Sequence, residues 1–378
     1  MNILFLEPYY GGSHKAFIDD WKQNSSHQFT ILDLPPYKWR WRMRHSAITF
    51  AEILSQQIEQ SNVPDLMVCS GMLDLATFLG LAPIQTRATP VVLYMHENQL
   101  TYPVPEGVKR DSDAVFKQVT SCLAANEIWW NSAYNLNSFL EALPKYLKRM
   151  PDYKLPHVTG IISQKSKVMH LGINPIGSQK SKQSIDSDQP LTITWAARWE
   201  HDKNPEDFFK ALSILKENNI NFALNVIGEQ FRSYPKIFDT AKEEFRAEIT
   251  NWGYLKSRDN YISVLQQSDV VVSTAIHEFF GLSILEAVSA GAFPVLPNRL
   301  AYPELFNHED FFYGQTAQQL AKKLIELSRR KTTQKTLWIN SRINKQELTT
   351  EYEWLKIAAK LDAQALALTT PHQAHNKY

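Results

Sequence analysis

The fold is decided by residues 191–205, which read LTITWAARWEHDKNP. The first six residues are an apolar and β-branched run with the length of a buried strand. A charged loop follows them, and Pro205 suits the first turn of a helix. Strand, loop and helix in this order form the repeating unit of a parallel α/β sheet. Ligands of such sheets bind beyond the carboxyl ends of the strands, so the loop is a candidate site.

The same alternation of strand and helix occurs on both sides of this stretch. Before it, apolar runs predict buried strands at 3–6, 29–32, 66–69, 91–94 and 127–130. Helical patterns separate those strands at 46–60, 73–80 and 112–125. Beyond it, strands are predicted at 222–227, 269–273 and 292–296, and helices at 205–216, 281–290, 316–328 and about 348–367. Residues 143–182 lack periodicity and are predicted to be loop-like.

Two α/β domains in tandem are therefore expected, facing each other as Rossmann-like domains with parallel sheets and a deep cleft between them. The predicted boundaries are a first domain at 1–175, a linker at 176–188 and a second domain at 189–347. A helix and tail at 348–378 can pack back toward the first domain.

The composition excludes several classes of protein. The chain has 378 residues with 40 Lys and Arg against 39 Asp and Glu, so neither a basic nucleic-acid coat protein nor an acidic disordered chain is expected. Its two cysteines, Cys69 and Cys122, are predicted to be free thiols in a reducing compartment. We see neither a signal peptide nor a run of about 20 apolar residues, and this predicts a cytoplasmic protein without a membrane partner.

Two motifs are candidates for binding a diphosphate. Arg198 and Lys203 flank the loop after the strand at 191–196, where two cations could neutralise a diphosphate leaving group. The pair Gly11-Gly12 follows the first strand, where it could let the backbone approach a phosphate. Glycine is scarce, 13 residues where an average of about 7% would give about 26, so each position matters. Ordinary surface charge and a plain turn are the alternatives.

A third motif, Glu278 to Glu286, reads EFFGLSILE. Glu278 falls in the loop after the strand at 269–273, and Glu286 falls inside a helix that is apolar almost all round. A carboxylate on such a helix should face a polar cleft or find a partner, because its burial alone is costly. Such glutamates commonly accept hydrogen bonds from hydroxyl groups of a sugar or a ribose.

Polar residues also follow two strands of the first domain. His96, Glu97, Asn98 and Gln99 come after the strand at 91–94, where active-site groups gather. A metal site is improbable there, because no second histidine stands at helical spacing. Asn131-Ser132 follows the next strand, with a helix cap as an equal alternative. Two Asp-x-Asp strings, at 111–113 and 186–188, are better explained by capping and by solvation.

An aromatic and basic stretch, residues 37–45, reads YKWRWRMRH and contains no acid. Arginine and tryptophan side chains can stack on bases, while the cations meet phosphates. Two exposed tryptophans would need a reason, so a polyanion face is favoured over a solvated loop. Lysine- and arginine-rich segments at 143–182 and 322–347 add to this charge, although solvated faces explain them equally well.

Taken in this order, the glycine pair, the Arg198/Lys203 pair and the two glutamates resemble a retaining glycosyltransferase of GT-B fold, family 4. Strings at 10–15, 39–42, 94–103 and 131–132 are similar to the tRNA-queuosine alpha-mannosyltransferase family. That resemblance implies transfer of mannose from GDP-mannose to the cyclopentenediol of queuosine at the tRNA wobble position. It implies tRNA containing queuosine and a nucleotide sugar as partners, and no cofactor or metal. It leaves the oligomeric state open.

The resemblance also implies residue roles. Glu278 would bind donor-sugar hydroxyls, Glu286 the ribose, Gly12 the phosphates, and His96 would lie near the sugar and the acceptor. The implied catalytic residues are His96, Arg198, Lys203 and Glu278. The implied donor-binding residues are Gly11, Gly12, Arg198, Lys203, Glu278, Phe279, Phe280, Gly281, Leu282 and Glu286. The implied acceptor-binding residues are His14, Lys38, Trp39, Arg40, Trp41, Arg42, Arg44, Glu97, Asn98, Gln99, Asn131 and Ser132.

Three other functions remain as alternatives at this stage. A family 4 enzyme could instead build a polysaccharide or a glycolipid, and a membrane-docking amphipathic helix would favour that reading. A non-catalytic tRNA-binding protein could use a degenerate transferase scaffold, although the intact Arg198, Lys203, Glu278 and Glu286 argue against it. A nucleotide-sugar epimerase shares the fold but needs no macromolecular acceptor.

Overall fold

The computed structural model describes residues 1–58, 63–104, 107–177, 189–338 and 347–370. Its contacts divide the chain into two compact units: unit 1 is Met1–Gly172 with Trp354–Tyr378, and unit 2 is Ile173–Glu353. The divisions fall at 172/173 and 353/354, where the sequence analysis placed them at 175/176 and 347/348. Residues 178–188, which are most of the predicted linker, lie outside the described residues. So do residues 371–378, at the end of the predicted helix and tail.

Unit 1 is a single parallel sheet of six strands in the order β2-β1-β3-β4-β5-β6. The strands are β1 (Asn2–Glu7), β2 (Gln28–Asp33), β3 (Leu66–Ser70), β4 (Val91–Met95), β5 (Glu127–Trp130) and β6 (Ser166–Val168). The helices are α1 (Gly12–Asn24), α2 (Trp39–Ile58), α3 (Leu75–Leu81), α4 (Ser112–Ala124), α5 (Ala133–Leu147) and α6 (Val158–Lys165). Strands β3 and β4 are wholly buried, as a sheet covered on both faces requires.

Unit 2 repeats the architecture with strand order β9-β8-β7-β10-β11-β12. Its strands are β7 (Leu191–Ala196), β8 (Phe222–Ile227), β9 (Ile249–Gly253), β10 (Val270–Val272), β11 (Phe293–Pro297) and β12 (Phe312–Tyr313). Its helices are α7 (Pro205–Glu217), α8 (Ile237–Glu244), α9 (Arg258–Gln267), α10 (Leu282–Ser289), α11 (Tyr302–Leu305), α12 (Ala317–Gln334) and α13 (Glu347–Thr350). All pairings between its neighbouring strands are parallel.

The last helix, α14 (Trp354–Thr369), belongs to unit 1 and packs against α1. The indole nitrogen of Trp21 donates a hydrogen bond to Asp362 Oδ1 at 2.9 Å. A methyl group on Gly172 would lie 2.4 Å from the ring of Trp354, so only glycine lets the helix enter there. Gly172 and the part-buried bond between Trp21 and Asp362 therefore both contribute to the placement of α14.

The strand orders locate the ligand-binding edge of each unit. In unit 1, the consecutive strands β2 and β3 lie on opposite sides of β1. In unit 2, the consecutive strands β9 and β10 lie on opposite sides of β7. Each sheet therefore changes its winding direction at that strand. The crevice beyond the carboxyl ends of such switch-point strands is where doubly wound sheets bind ligands. In unit 1 the loop after β1 carries the glycine pair, and in unit 2 the loops after β7 and β10 carry the charged motifs.

Two sequence predictions about secondary structure are wrong, and strand β9 was missed. Residues 143–182 are not loop-like, because α5 tolerates Pro144 near its end, and α6 and the edge strand β6 follow. Both elements are too short to produce a visible period. Strand β9 was missed because it is only partly buried and lacks the apolar run that marks the buried strands. Helix α2 begins at Trp39 instead of residue 46, so the aromatic and basic stretch forms its first turns.

The expected free thiols and the expected helix cap at Asp111 are confirmed. Cys69 and Cys122 are buried free thiols, and burial raises the pKa of each. Asp111 caps α4 by accepting a hydrogen bond from the backbone N–H of Ala114, while the second Asp-x-Asp string lies outside the described residues. Within the described ranges, every helix is too short or too polar to cross a bilayer.

Candidate active site

A buried ion-pair network follows the switch-point strands β7 and β10 of unit 2. Lys203 is 7% exposed, and its Nζ lies 3.1 Å from Glu278 Oε2 and 3.2 Å from Asp202 Oδ2. It also donates to the backbone carbonyl of His277 at 3.0 Å. Burial alone lowers the pKa of Lys203, but the two carboxylates raise it above its ordinary value. The lysine is therefore held charged in a buried position.

Glu278 is the ionised partner in this network. Burial raises the pKa of its carboxyl group, but Lys203 lowers it further, so the net shift is downward. Arg198 also favours the charged carboxylate. Its own guanidinium is 45% exposed and lies 3.1 Å from Glu200. The structure thus brings three of the four predicted catalytic residues into one electrostatic cluster, with Arg198 as its solvent-facing cation.

A small pocket opens over this cluster within unit 2. Ala197, Lys203, Glu278, Ser283 and Tyr302 are among the residues that line it. The Ser283 hydroxyl is fixed by donating to the carbonyl of Ala196 at 2.8 Å, and the Tyr302 hydroxyl lies 2.6 Å from Ser273. Hydrogen bonds therefore fix the side chains of two of its lining residues.

The predicted glycine and aromatic residues turn the chain into α10. Gly281 caps the helix in a left-handed conformation, with φ of 100°, which other residues rarely adopt. Phe279 and Phe280 are both buried, with Phe279 edge-on to the ring of His277. Leu282 then opens α10. The two phenylalanines thus anchor the loop, so that it presents Glu278 and the start of α10 to the pocket.

The carboxylate of Glu286 is already ion-paired and hydrogen-bonded within unit 2. It contacts Arg258 at 2.5 Å and accepts a hydrogen bond from the Tyr261 hydroxyl at 2.8 Å. The side chain is 12% exposed, so the apolar helix does bury a carboxylate, with compensation from α9. Any ribose bound here would share Glu286 with these two groups.

The two glycines of the loop after β1 serve different purposes. A methyl group on Gly11 would lie 2.5 Å from Pro36, so Gly11 is required by packing. Gly12 adopts a positive φ of 53°, and the space beside it is open. Gly12 therefore exposes backbone at the amino end of α1, where a helix favours an anion. The predicted phosphate role fits Gly12, whereas Gly11 has a packing role.

Close to that loop, the buried side chains of Glu7, His14 and His96 cluster with the partly exposed Glu97. His14 Nδ1 lies 3.1 Å from Glu7 Oε2, and His14 Nε2 lies 3.5 Å from Glu97. The ring of His14 stacks on that of His96 at 4.1 Å. Ligand atoms of Glu7, His14 and His96 lie within 4.8 Å of one another, a spacing that a metal ion could bridge. Glu7 is already engaged, however, because it also accepts hydrogen bonds from Ser70 and from a backbone N–H.

The remaining polar residues after β4 and β5 have structural hydrogen bonds. Asn131 donates to the carbonyl of His96 at 2.7 Å, and Asn98 donates to Asn135 at 2.8 Å. Ser132 caps α5, so the structure shows the helix cap that was the alternative to an acceptor-binding role. The backbone N–H of Gln99 is held by Gln118. These residues hold the loop of His96 and Glu97 in place, and their predicted contact with an acceptor stays a prediction.

The predicted acceptor face is the exposed first part of α2. Trp41 is 60% exposed, and Arg40 and Arg44 project beside it. Acidic residues absent from the local sequence are supplied by α4: Asp111 lies 3.6 Å from Arg40, and Asp113 lies 3.1 Å from Arg44. The face is therefore less basic than the sequence suggests.

Other residues of that face differ in exposure. Lys38 is exposed at a positive φ of 55°, and Trp39 is half-buried against a small cluster that Tyr9 also packs against. Arg42 is buried and donates to the carbonyl of Pro35 at 3.1 Å. Arg42 thus stabilises the start of α2, so its predicted tRNA contact would need this bond to be given up.

Comparison with known proteins decides the family. A family model described as tRNA-queuosine alpha-mannosyltransferase N-terminal matches residues 2–173, and one described as Glycosyl transferases group 1 matches residues 177–343. A Drosophila melanogaster protein named tRNA-queuosine alpha-mannosyltransferase is 37% identical over 336 residues, which are 87% of each chain. The chain belongs to the tRNA-queuosine alpha-mannosyltransferase family. It is a glycosyltransferase, and the resemblance seen in its sequence is confirmed.

Solved structures show that this family member has the GT-B fold. The Anabaena Alr3699/HepE structure in complex with UDP matches with a TM-score of 0.68 at 17% identity, covering 97% of this chain and 100% of that one. Sucrose-phosphate synthase from Thermosynechococcus elongatus matches with a TM-score of 0.72 at 13% identity, covering 97% and 99%. At these identities the likeness concerns the fold alone.

Four site residues of this transferase escaped the sequence analysis: Glu7, Asp202, Arg258 and Tyr261. Glu7 looked like the last residue of a strand, and its polar character after four apolar residues was the only signal. Asp202 was visible beside Lys203 in the charged loop. Arg258 and Tyr261 lie on α9, far from Glu286 in sequence, and only the packing of α9 on α10 brings them together.

Proposed function

We propose that this protein transfers mannose from GDP-mannose to the cyclopentenediol of queuosine in tRNA, with retention of configuration and in the cytoplasm. The observation that carries the proposal is its 37% identity to a protein of that name across 87% of both chains, so that both units are included. The ion-pair network of unit 2 supports the chemical part, because it holds a cation where a diphosphate leaving group needs one.

Lys203 and Arg198 supply the electrophilic part of the reaction. As the glycosidic bond breaks, negative charge grows on the departing diphosphate oxygen, and preorganised cations stabilise it. Lys203 is already desolvated and aligned by Asp202 and Glu278, so little reorganisation is needed when the donor binds. Arg198 remains exposed to solvent and can contact the diphosphate as it departs.

Glu278 is better suited to binding than to nucleophilic attack. Its carboxylate is ion-paired with Lys203, which lowers both its basicity and its nucleophilicity. A hydroxyl-binding role for Glu278 is compatible with this pairing, since a carboxylate accepts several hydrogen bonds at once. We therefore favour displacement on one face of the sugar over the double displacement of paired-carboxylate enzymes. The proposal places the protein in family 4 and includes no metal or cofactor.

The exposed first part of α2 is the proposed tRNA face. Trp41, and Tyr37 just before α2, offer flat surfaces on which bases can stack, and Arg40 and Arg44 can meet phosphates. Trp39 and Tyr9 pack on the same small cluster, and the ring of Tyr9 is 6.1 Å from that of His14. The proposed tRNA face is thus continuous with the buried histidines.

Incubation with GDP-mannose and queuosine-containing tRNA tests the function directly. Nucleoside mass spectrometry should show the gain of one hexose on queuosine, and tRNA with unmodified guanine at that position should show none. The matched protein control is Lys203→Met, which should lose transfer while still binding tRNA. Hexose gain only with another nucleotide sugar would overturn the donor assignment. Hexose gain on a lipid or a glycan, with none on tRNA, would overturn the acceptor assignment.

A further inference from the structure

The buried cluster beside the glycine loop has a feature that family membership does not explain. His96 is 5% exposed, and neither of its ring nitrogens has a hydrogen-bond partner among the described residues. A buried polar group without a partner costs free energy, so it is retained where a ligand supplies the missing bond. The ring cannot turn freely, because it stacks on His14 and meets the edge of Phe17 at 5.2 Å.

The neighbouring ring, His14, is in the opposite situation. A carboxylate faces each of its nitrogens, Glu7 at 3.1 Å and Glu97 at 3.5 Å. Only an imidazolium has an N–H at both positions, so the geometry selects the charged form. Burial lowers the pKa of His14, but the carboxylates outweigh it and raise the pKa to about 10. Glu7 is held in turn by Ser70 and by the backbone N–H of Tyr9.

The two rings are therefore coupled. A cation whose ring centroid lies 4.1 Å from a second imidazole opposes protonation of that imidazole. Burial and the charge of His14 both lower the pKa of His96, in that order of size. His96 accordingly keeps an unprotonated nitrogen that can accept a hydrogen bond. A protonated His96 would have only donors to offer.

We propose that Glu7 is a positioning residue: through the imidazolium of His14 it keeps His96 neutral, so that His96 accepts a hydrogen bond from a hydroxyl of the reacting sugar or acceptor. This rests on the proposed function only for the identity of the hydroxyl. The relay itself is a property of the unliganded protein. It couples a strand residue that touches no substrate to the protonation state of a residue in the site.

The titratable groups that pack against the two rings come from several elements of unit 1. The groups that face the pair are Glu7 from β1, Glu97 from the loop after β4, and the phenol of Tyr9. Tyr94 stands 4.6 Å from His96, ring to ring, and Cys69 interacts with Glu7 from β3. Burial raises the pKa of both, so both stay neutral.

The pH dependence of kcat/KM tests the relay. Glu7→Gln keeps the shape of the side chain but removes its negative charge, which helps to keep His14 protonated. We expect the acid limb of the profile to move upward by about 1–3 pH units, because His96 then loses the neighbouring like charge of His14 that opposes its protonation. Asp65→Asn is the matched control, because it makes the same change at an exposed carboxylate that meets the other end of β1. Its profile should match the wild type.

Histidine-selective NMR of the unliganded protein provides a readout that needs no activity. In the wild type, the ring of His14 should remain an imidazolium above pH 8, while His96 should gain its proton only well below the pH at which a histidine ordinarily does. In Glu7→Gln, or in His14→Gln if the first variant does not fold, His96 should titrate at a higher pH. An ordinary titration of His14 in the wild type would overturn the relay, as would tightly bound metal that is lost in Glu7→Gln. Absence of hexose transfer by the wild type would instead overturn the proposed function.

Discussion

Replacement of Lys203 by methionine should cost both stability and turnover, and the two losses can be separated. Methionine is close to lysine in length and is apolar, so the cavity is filled while the charge is lost. Glu278 and Asp202 then keep buried negative charge without their cation, at 3.1 and 3.2 Å from the empty position. Breaking a buried pair by removing one partner typically costs about 3–5 kcal/mol.

The expected shift in melting temperature follows from the size of the unit that unfolds. Unit 2 comprises residues 173–353, and a domain of that size loses roughly 2–4 °C per kcal/mol. Lys203→Met should therefore lower the melting temperature of unit 2 by about 6–20 °C. The double variant Lys203→Met/Glu278→Gln should recover part of that loss, because it removes one of the two unpaired charges.

Transfer activity, measured well below the melting temperature, should fall by about 10²–10³ in both variants. Lys331→Met is the matched control, because Lys331 is equally buried and pairs with Asp269 at 2.6 Å but is not among the residues of the pocket. It should lose comparable stability and retain its turnover. If Lys203→Met melts like the wild type, the argument from buried charge is refuted. If it turns over at a near-normal rate, the leaving-group role is refuted.

Three further outcomes are expected. Gly228→Ala should lower the melting temperature sharply, because the new methyl group would lie 1.8 Å from the carbonyl oxygen of Ala197; an unchanged melting curve would contradict this. Asp113→Asn should tighten tRNA binding by releasing Arg44, whereas Arg44→Ala should weaken it and reduce the salt slope by about 1; salt-independent binding would refute the electrostatic face. Burial raises the pKa of Asp310, but hydrogen bonds from a buried arginine and a lysine lower it overall, so its stabilisation is present above pH of about 4 and is lost below. The free energy of unfolding, measured with urea, should therefore differ less between pH 3 and pH 5 in Asp310→Asn than in the wild type.

The donor-site residues could be predicted from sequence because each belongs to a local pattern. Lys203 lies in the loop between a strand and a helix, and Glu278 precedes a helix start that Gly281 marks. Strand and helix periods place such loops at one edge of a parallel sheet without any knowledge of packing. The pattern could not show that Lys203 and Glu278 bind each other, which requires the adjacency of β7 and β10.

The histidine relay could not be predicted, and the reason is physical. Glu7, His14 and His96 lie on three segments separated by up to about ninety positions, so that spacing along the chain carries no information about their contact. The search for a second histidine at helical spacing around His96 missed His14 because the second ring comes from α1. Likewise, the acids that neutralise Arg40 and Arg44 come from α4.

The sequence by itself determined the two α/β units, the family, and the loops that carry Arg198, Lys203 and Glu278, because strand and helix periods and strand-end loops are local properties. The tertiary structure alone decided which charges meet, since Coulomb energy and desolvation depend on distance and burial. It assigned Gly11 to packing and Gly12 to open backbone, and it buried Arg42 while leaving Trp41 exposed. The protonation states of His14 and His96 belong to this second group, because each is determined by neighbours that only folding supplies.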